Sequence, residues 1–116
     1  MTPRLLVEDL KALVADEVET ELHSFENPGE RPPEHLKRFS QWYQDLADHD
    51  REIIGQVMRF SSEGALFALL AVLEELATFS EESGSLELWY VSPEGDRSRL
   101  NDPDQVSLTD LFNSLE

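Results

Sequence analysis

The sequence predicts an α+β fold, mostly α: about four helices packed around a central apolar helix near 62–79, a β-hairpin near 85–91 and 97–100, and a short C-terminal helix. Three observations predict it. Apolar residues recur at steps of three and four through the first half of the chain, the spacing of one face of an α-helix. Residues 65–73 are apolar on every face, as in a helix with neighbours all round. After Gly84 the period changes to alternation, with Leu86, Leu88 and Tyr90 on one side and Glu87, Trp89 and Val91 on the other.

The elements follow in order. Thr2 before Pro3 is a helix start, a capping hydroxyl followed by proline at the first helical position. Val7, Leu10, Val14, Val18, Leu22 and Phe25 then form one stripe, and the helix is expected to stop near Ser24, ahead of the proline- and glycine-rich segment that ends at Pro33. A second helix beginning at Pro33 or Glu34 carries Leu36, Phe39, Tyr43 and Leu46, with Trp42 at its margin. Asp48 or Asp50 caps a third, with Ile53, Ile54, Val57, Met58 and Phe60. Ser61-Ser62-Glu63-Gly64 is expected to interrupt it, either serine capping the apolar helix that follows.

Ser92-Pro93-Glu94-Gly95 suits a type I turn with glycine in the left-handed position. That turn sets Leu88 opposite Leu100, Trp89 opposite Arg99 and Val91 opposite Arg97. A lone hairpin is marginal in water, so it must rest on the helices or join another sheet. Asn101-Asp102-Pro103-Asp104 is a further turn. Ser107 then caps a last helix carrying Leu108, Leu111, Phe112 and Leu115, with Asp110 three residues on.

Length and composition bound the rest. A chain of 116 residues that is 40% hydrophobic is expected to form a single domain, 1–116, around one core. Its formal net charge of -16, from 25 acidic and 9 basic residues, argues against direct nucleic-acid binding, which needs a basic patch to neutralise phosphates. The same charge argues against docking on anionic membranes. The acidity serves solubility or adaptation to salt, attraction of a basic partner, or weak cation binding. Cysteine is absent, which excludes disulfides and thiol chemistry. The opening residues lack the apolar run of a signal peptide, and residues 65–73 fall short of the ~20 that a membrane span needs, so a cytoplasmic location is the expectation.

Signatures of chemistry are sparse. Glu19 with His23 and Asp45 with His49 share helix faces, but no glutamate stands three residues before a histidine, as a di-iron bundle requires. No His-Glu-x-x-His zinc motif occurs. The oxygen-rich turns near Asp96 and Asp102 do not continue as calcium loops. There is no glycine-rich phosphate loop and no nucleophile elbow. The expectation is therefore no enzymatic activity, no cofactor and no metal site.

The most distinctive surface expected is the outer face of the hairpin, where Trp89, Arg97 and Arg99 would form a cationic and aromatic patch. Trp and Arg are enriched in interface hot spots. The plain alternative is that Trp89 is covered by a helix, or by Arg99 as a cation–π pair. Asp16, Glu17, Glu19 and Glu21 on the first helix would steer an encounter with a positive surface. In size, acidity and helical α+β character the chain resembles small bacterial immunity proteins and other stoichiometric inhibitors, a resemblance of type that transfers no residue roles. The function expected is a small acidic protein-interaction module, an inhibitor or adaptor for a basic partner. Two alternatives stand beside it: a metal- or small-ligand-binding domain using histidines and carboxylates, and one subunit of an obligate homo-oligomer such as a homodimer.

Overall fold

Helix α1 (Pro3–Glu26) opens as its first residues dictate, with the Thr2 Oγ accepting the Leu5 amide at 3.1 Å. It runs two residues beyond Ser24, and Asn27 N closes the last turn on His23 O at 2.9 Å before Pro28 ends it. The computed structural model describes residues 1–74 and 84–115. Among them the order continues with α2 (Glu34–Gln44), α3 (Asp48–Leu73), β1 (Trp89–Val91), β2 (Arg97–Arg99) and α4 (Leu108–Ser114). The expected class holds: mostly α, with a small antiparallel β part.

The expected interruption at Ser61-Ser62-Glu63-Gly64 is absent, and α3 passes through it as one helix of 26 residues. Serine and glycine cost about 0.5–1 kcal/mol each inside a helix. With no proline to remove a hydrogen bond, the apolar turns on either side outweigh that cost. Asp48 and Asp50 are not caps: both sit in the first turn of α3, where the helix dipole favours negative charge, and Arg51 N bonds to Ala47 O at 3.0 Å. The joined helix is, by length and composition alone, long and apolar enough to cross a membrane, at a mean hydropathy of 1.3 over 18 residues. Arg59 and Glu63 stand near its middle, and insertion scales charge about 2.5–3.5 kcal/mol for such an ionised group at the bilayer centre.

The hairpin has the expected register, Trp89 paired with Arg99, Tyr90 with Ser98 and Val91 with Arg97. Its turn is closed by Gly95 N to Ser92 O at 2.9 Å and Ser92 N to Asp96 O at 2.8 Å, with Gly95 at φ +91°. The paired strands are shorter than expected. Leu100 N still reaches Leu88 O at 2.8 Å, but the Leu88 amide turns to the side chain of Asn101, at 2.9 Å from its Oδ1.

By contacts the chain divides into two compact units, Met1–Ala12 with Gly64–Glu116, and Leu13–Glu63. In the first unit Val7, Leu66, Leu70, Ala71, Leu100, Leu108 and Leu111 are buried. Phe67 meets Phe112 edge-on at 5.5 Å between centroids. Lys11 caps the far end of α4, donating to Leu115 O at 2.8 Å and lying 4.4 Å from the Phe112 ring centroid. The start of α4 is held by the Glu74 carboxylate, which accepts from the Ser107 hydroxyl at 2.9 Å and the Thr109 hydroxyl at 2.8 Å. Ser107 also accepts the Asp110 amide at 3.3 Å, as a capping serine does. The apolar stretch at 65–73 is not covered on every side, since Ala65, Ala68 and Leu69 are exposed. The expected helix end at 75–79 and the acidic turn at 81–83 lie outside the described residues.

In the second unit α1 meets α2 through Phe25, whose ring lies 6.1 Å from Phe39 and 5.6 Å from Tyr43. The buried Ser40 donates its hydroxyl to Phe25 O at 2.5 Å. α1 meets α3 where Gly55 leaves room for the Leu22 side chain: a Cβ there would stand 3.3 Å from Leu22 Cδ1.

Candidate interaction groove

Within the Leu13–Glu63 unit, α1 and α3 form the two walls of an open groove of about 580 Å3. Glu19, Leu22 and Glu26 recur at three and four residues and so share one side of α1. Asp48, Glu52, Gly55, Arg59 and Glu63 recur in the same way along α3. Leu22 and Tyr43 give the groove apolar surface, and Phe60 stands at its edge with 82% of its surface exposed. Phe60 also ends a second line on α3, Ile53–Val57–Phe60 at i, i+4 and i+7, and all three are exposed.

Five carboxylates line the groove, those of Glu19, Glu26, Asp48, Glu52 and Glu63, against the guanidinium groups of Arg51 and Arg59. Arg51 is committed to the fold: its Nη2 donates to Gln44 O at 2.7 Å, at the C-terminus of α2, and its guanidinium lies 5.2 Å from the Tyr43 ring centroid. Arg59 reaches from α3 to Glu19 on α1 at 3.4 Å, with side-chain exposures of 51% and 68%. An ion pair that wet contributes about 0.2–1 kcal/mol and exchanges partners readily.

Asp16, Glu17, Glu19 and Glu21 are all exposed on α1, as a steering role requires, but they do not share one face. Glu19 lines the groove, whereas Glu17 and Glu21, four residues apart, occupy another side of the helix. On the hairpin, Trp89 is 42% exposed and Val91 56%. The cation over Trp89 is Arg97, at 4.7 Å from the ring centroid, and not the directly opposed Arg99. Strand twist brings the diagonal neighbour over the indole. Arg99 turns instead to Glu87, at 3.8 Å, and to Asn101 Oδ1, to which its Nε donates at 3.2 Å. The exposed part of the patch is therefore Val91 with the stacked Trp89 and Arg97, and the Trp89 Nε1 donates to Glu87 at 3.2 Å.

His23, His35 and His49 are each exposed, at the end of α1 and near the starts of α2 and α3. Among the described residues no group of three or more histidine, aspartate or glutamate side chains is placed to hold a metal ion. A smaller cavity of about 260 Å3 beside α4 is lined by Glu74, Asn101 and Ser107, whose polar groups already bond to one another or to backbone.

The groove was not read from the sequence. The sequence puts Ile53, Ile54, Val57, Met58 and Phe60 on the third helix without dividing them between faces, and five apolar residues in eight exceed what a single helix stripe holds. That excess was the available signal for a second, outward face. Comparisons with protein-family models, with curated proteins and with solved structures find no match to the chain.

Proposed function

We propose that the protein is a protein-interaction module without enzymatic activity, an acidic inhibitor or adaptor that binds a basic partner. One imbalance in the Leu13–Glu63 unit carries the reading. Its buried apolar side chains are Val18 and Tyr43, while Leu13, Phe39, Trp42, Ile53, Val57 and Phe60 are 42–82% exposed. Ile53, Val57 and Phe60 among them follow one line along α3, and contiguous exposed apolar surface marks an interaction site. Phe60 stands at the edge of the groove, whose carboxylates favour a positive partner, and long-range attraction speeds the encounter.

A pull-down at low salt from cells that make the protein, run beside Val57→Ser/Phe60→Ser, tests the reading. The expected result is a stoichiometric basic protein that the wild type retains, that salt releases, and that the variant fails to hold. A partner held equally by the variant, or one unaffected by salt, would overturn it.

A further inference from the structure

We infer that the groove between α1 and α3 seats an α-helix of about four turns, with an apolar stripe flanked by lysines and arginines. The inference rests on the basic-partner reading above and specifies how the partner is held. From Asp48 to Glu63 the α3 wall runs about 22 Å at the helical rise per residue, the length of four turns. Both walls present side chains at steps of three and four, and ridges at that spacing interlock with those of a third helix. Helix-in-groove recognition reads anchors at the same steps. An extended peptide repeats every second residue and does not match them. Leu22 and Phe60 supply the apolar contact.

Charge sets the chemistry of the occupant. Five carboxylates face two guanidinium groups in the groove, and the Arg51 guanidinium is already bonded to α2. A second copy of a chain with net charge -16 would bring like charge against like. The exposed Arg59–Glu19 pair marks the position a partner cation takes: the incoming lysine or arginine displaces Arg59 and pairs with Glu19. Arg59 is thus a resident competitor for the seat.

Calorimetric titration of the whole chain with two synthetic peptides of the same leucine and lysine content tests this. Both are about 16 residues long, enough for four turns; one places leucines at helical spacing and the other is shuffled. The helical peptide is expected to bind roughly tenfold more tightly than the shuffled one, and Phe60→Ser to cost about tenfold. Arg59→Ala is expected to strengthen binding about threefold by freeing Glu19, which a merely structural ion pair would not do. Both positions are exposed, so the variants keep the fold, and circular dichroism checks it. Equal affinity for the two peptides, with Phe60→Ser indifferent, would overturn the helical seat and leave the basic-partner reading standing. Binding of neither peptide also overturns the seat, while the pull-down judges the broader reading on its own. A dimer of the chain that Phe60→Ser dissolves would assign the site to a second copy. Capture by neutral lipid vesicles, lost in that variant, would assign it to a bilayer; either overturns the inference.

Discussion

Asn101 ties the end of α3 to the segment that leads into β1, two stretches of backbone in its unit that share no regular hydrogen-bond ladder. Its amide donates to Leu73 O at 2.8 Å and Leu86 O at 2.7 Å, and its Oδ1 accepts the Leu88 amide at 2.9 Å. The side chain is 6% exposed, so water does not replace these bonds when they are lost. Asn101→Ala is therefore expected to lower stability by about 2–4 kcal/mol, which the midpoint of a urea titration measures. Arg59→Ala, which removes an exposed pair, is expected to change the same midpoint by less than about 1 kcal/mol. If the two variants are equally stable, the Asn101 network contributes no more than a surface contact. The sequence marked Asn101 only as the start of a turn, which Asp102 builds: Asp104 N bonds to its Oδ1 at 2.9 Å. The larger role was illegible because two of its carbonyl partners lie 28 and 15 residues away. The Arg97–Trp89 stacking escaped for a related reason, since opposed pairs follow from a register and diagonal ones need the twist.

Glycine separates what was legible at the element scale from what was not. The turn and register of the hairpin could be read, though not the length of its strands, because alternation and turn chemistry are local and a type I turn followed by glycine admits one register. The continuity of α3 could not, because a Ser-Ser-Glu-Gly sequence interrupts a helix in one context and is carried through in another. The structure separates the two glycines by backbone angle and surroundings. Gly64 is helical, and a Cβ there would meet nothing within 4 Å. Gly64→Ala is thus expected to stabilise the protein by about 0.5–1 kcal/mol, with a matching rise in helical circular dichroism retained near the unfolding midpoint. Gly95, at φ +91°, should show the opposite sign: Gly95→Ala is expected to cost about 1 kcal/mol. A loss at Gly64 would mean that the helix does break there. The apolar composition of α3 misled in another way. Residues 65–73 suggested burial on all sides, yet Leu69 is 53% exposed, because apolar content does not say how many neighbours arrive.

At the scale of the whole molecule, one physical quantity acts on folding and on binding with opposite signs. A net charge of -16 on a chain of 116 residues, with few close ion pairs among the described residues, leaves like charges repelling through solvent. Folding brings them nearer together, so screening should stabilise the folded state. The screening length falls from about 30 Å at 0.01 M salt to about 10 Å at 0.1 M. Raising sodium chloride across that interval is expected to increase the melting temperature by several degrees, about what 1 kcal/mol confers on a domain of this size. Attraction of a basic partner is screened over the same interval, so its dissociation constant should rise while the melting temperature does. Differential scanning calorimetry of the free chain and titration of the complex, made in one salt series, test both slopes together. A stability that does not respond to salt would show that the carboxylates are spaced widely enough to escape mutual repulsion. The acidity would then bear on binding alone. Parallel slopes, with affinity rising alongside stability, would mean that salt screens repulsion between the carboxylates and the partner, and would overturn the basic-partner reading.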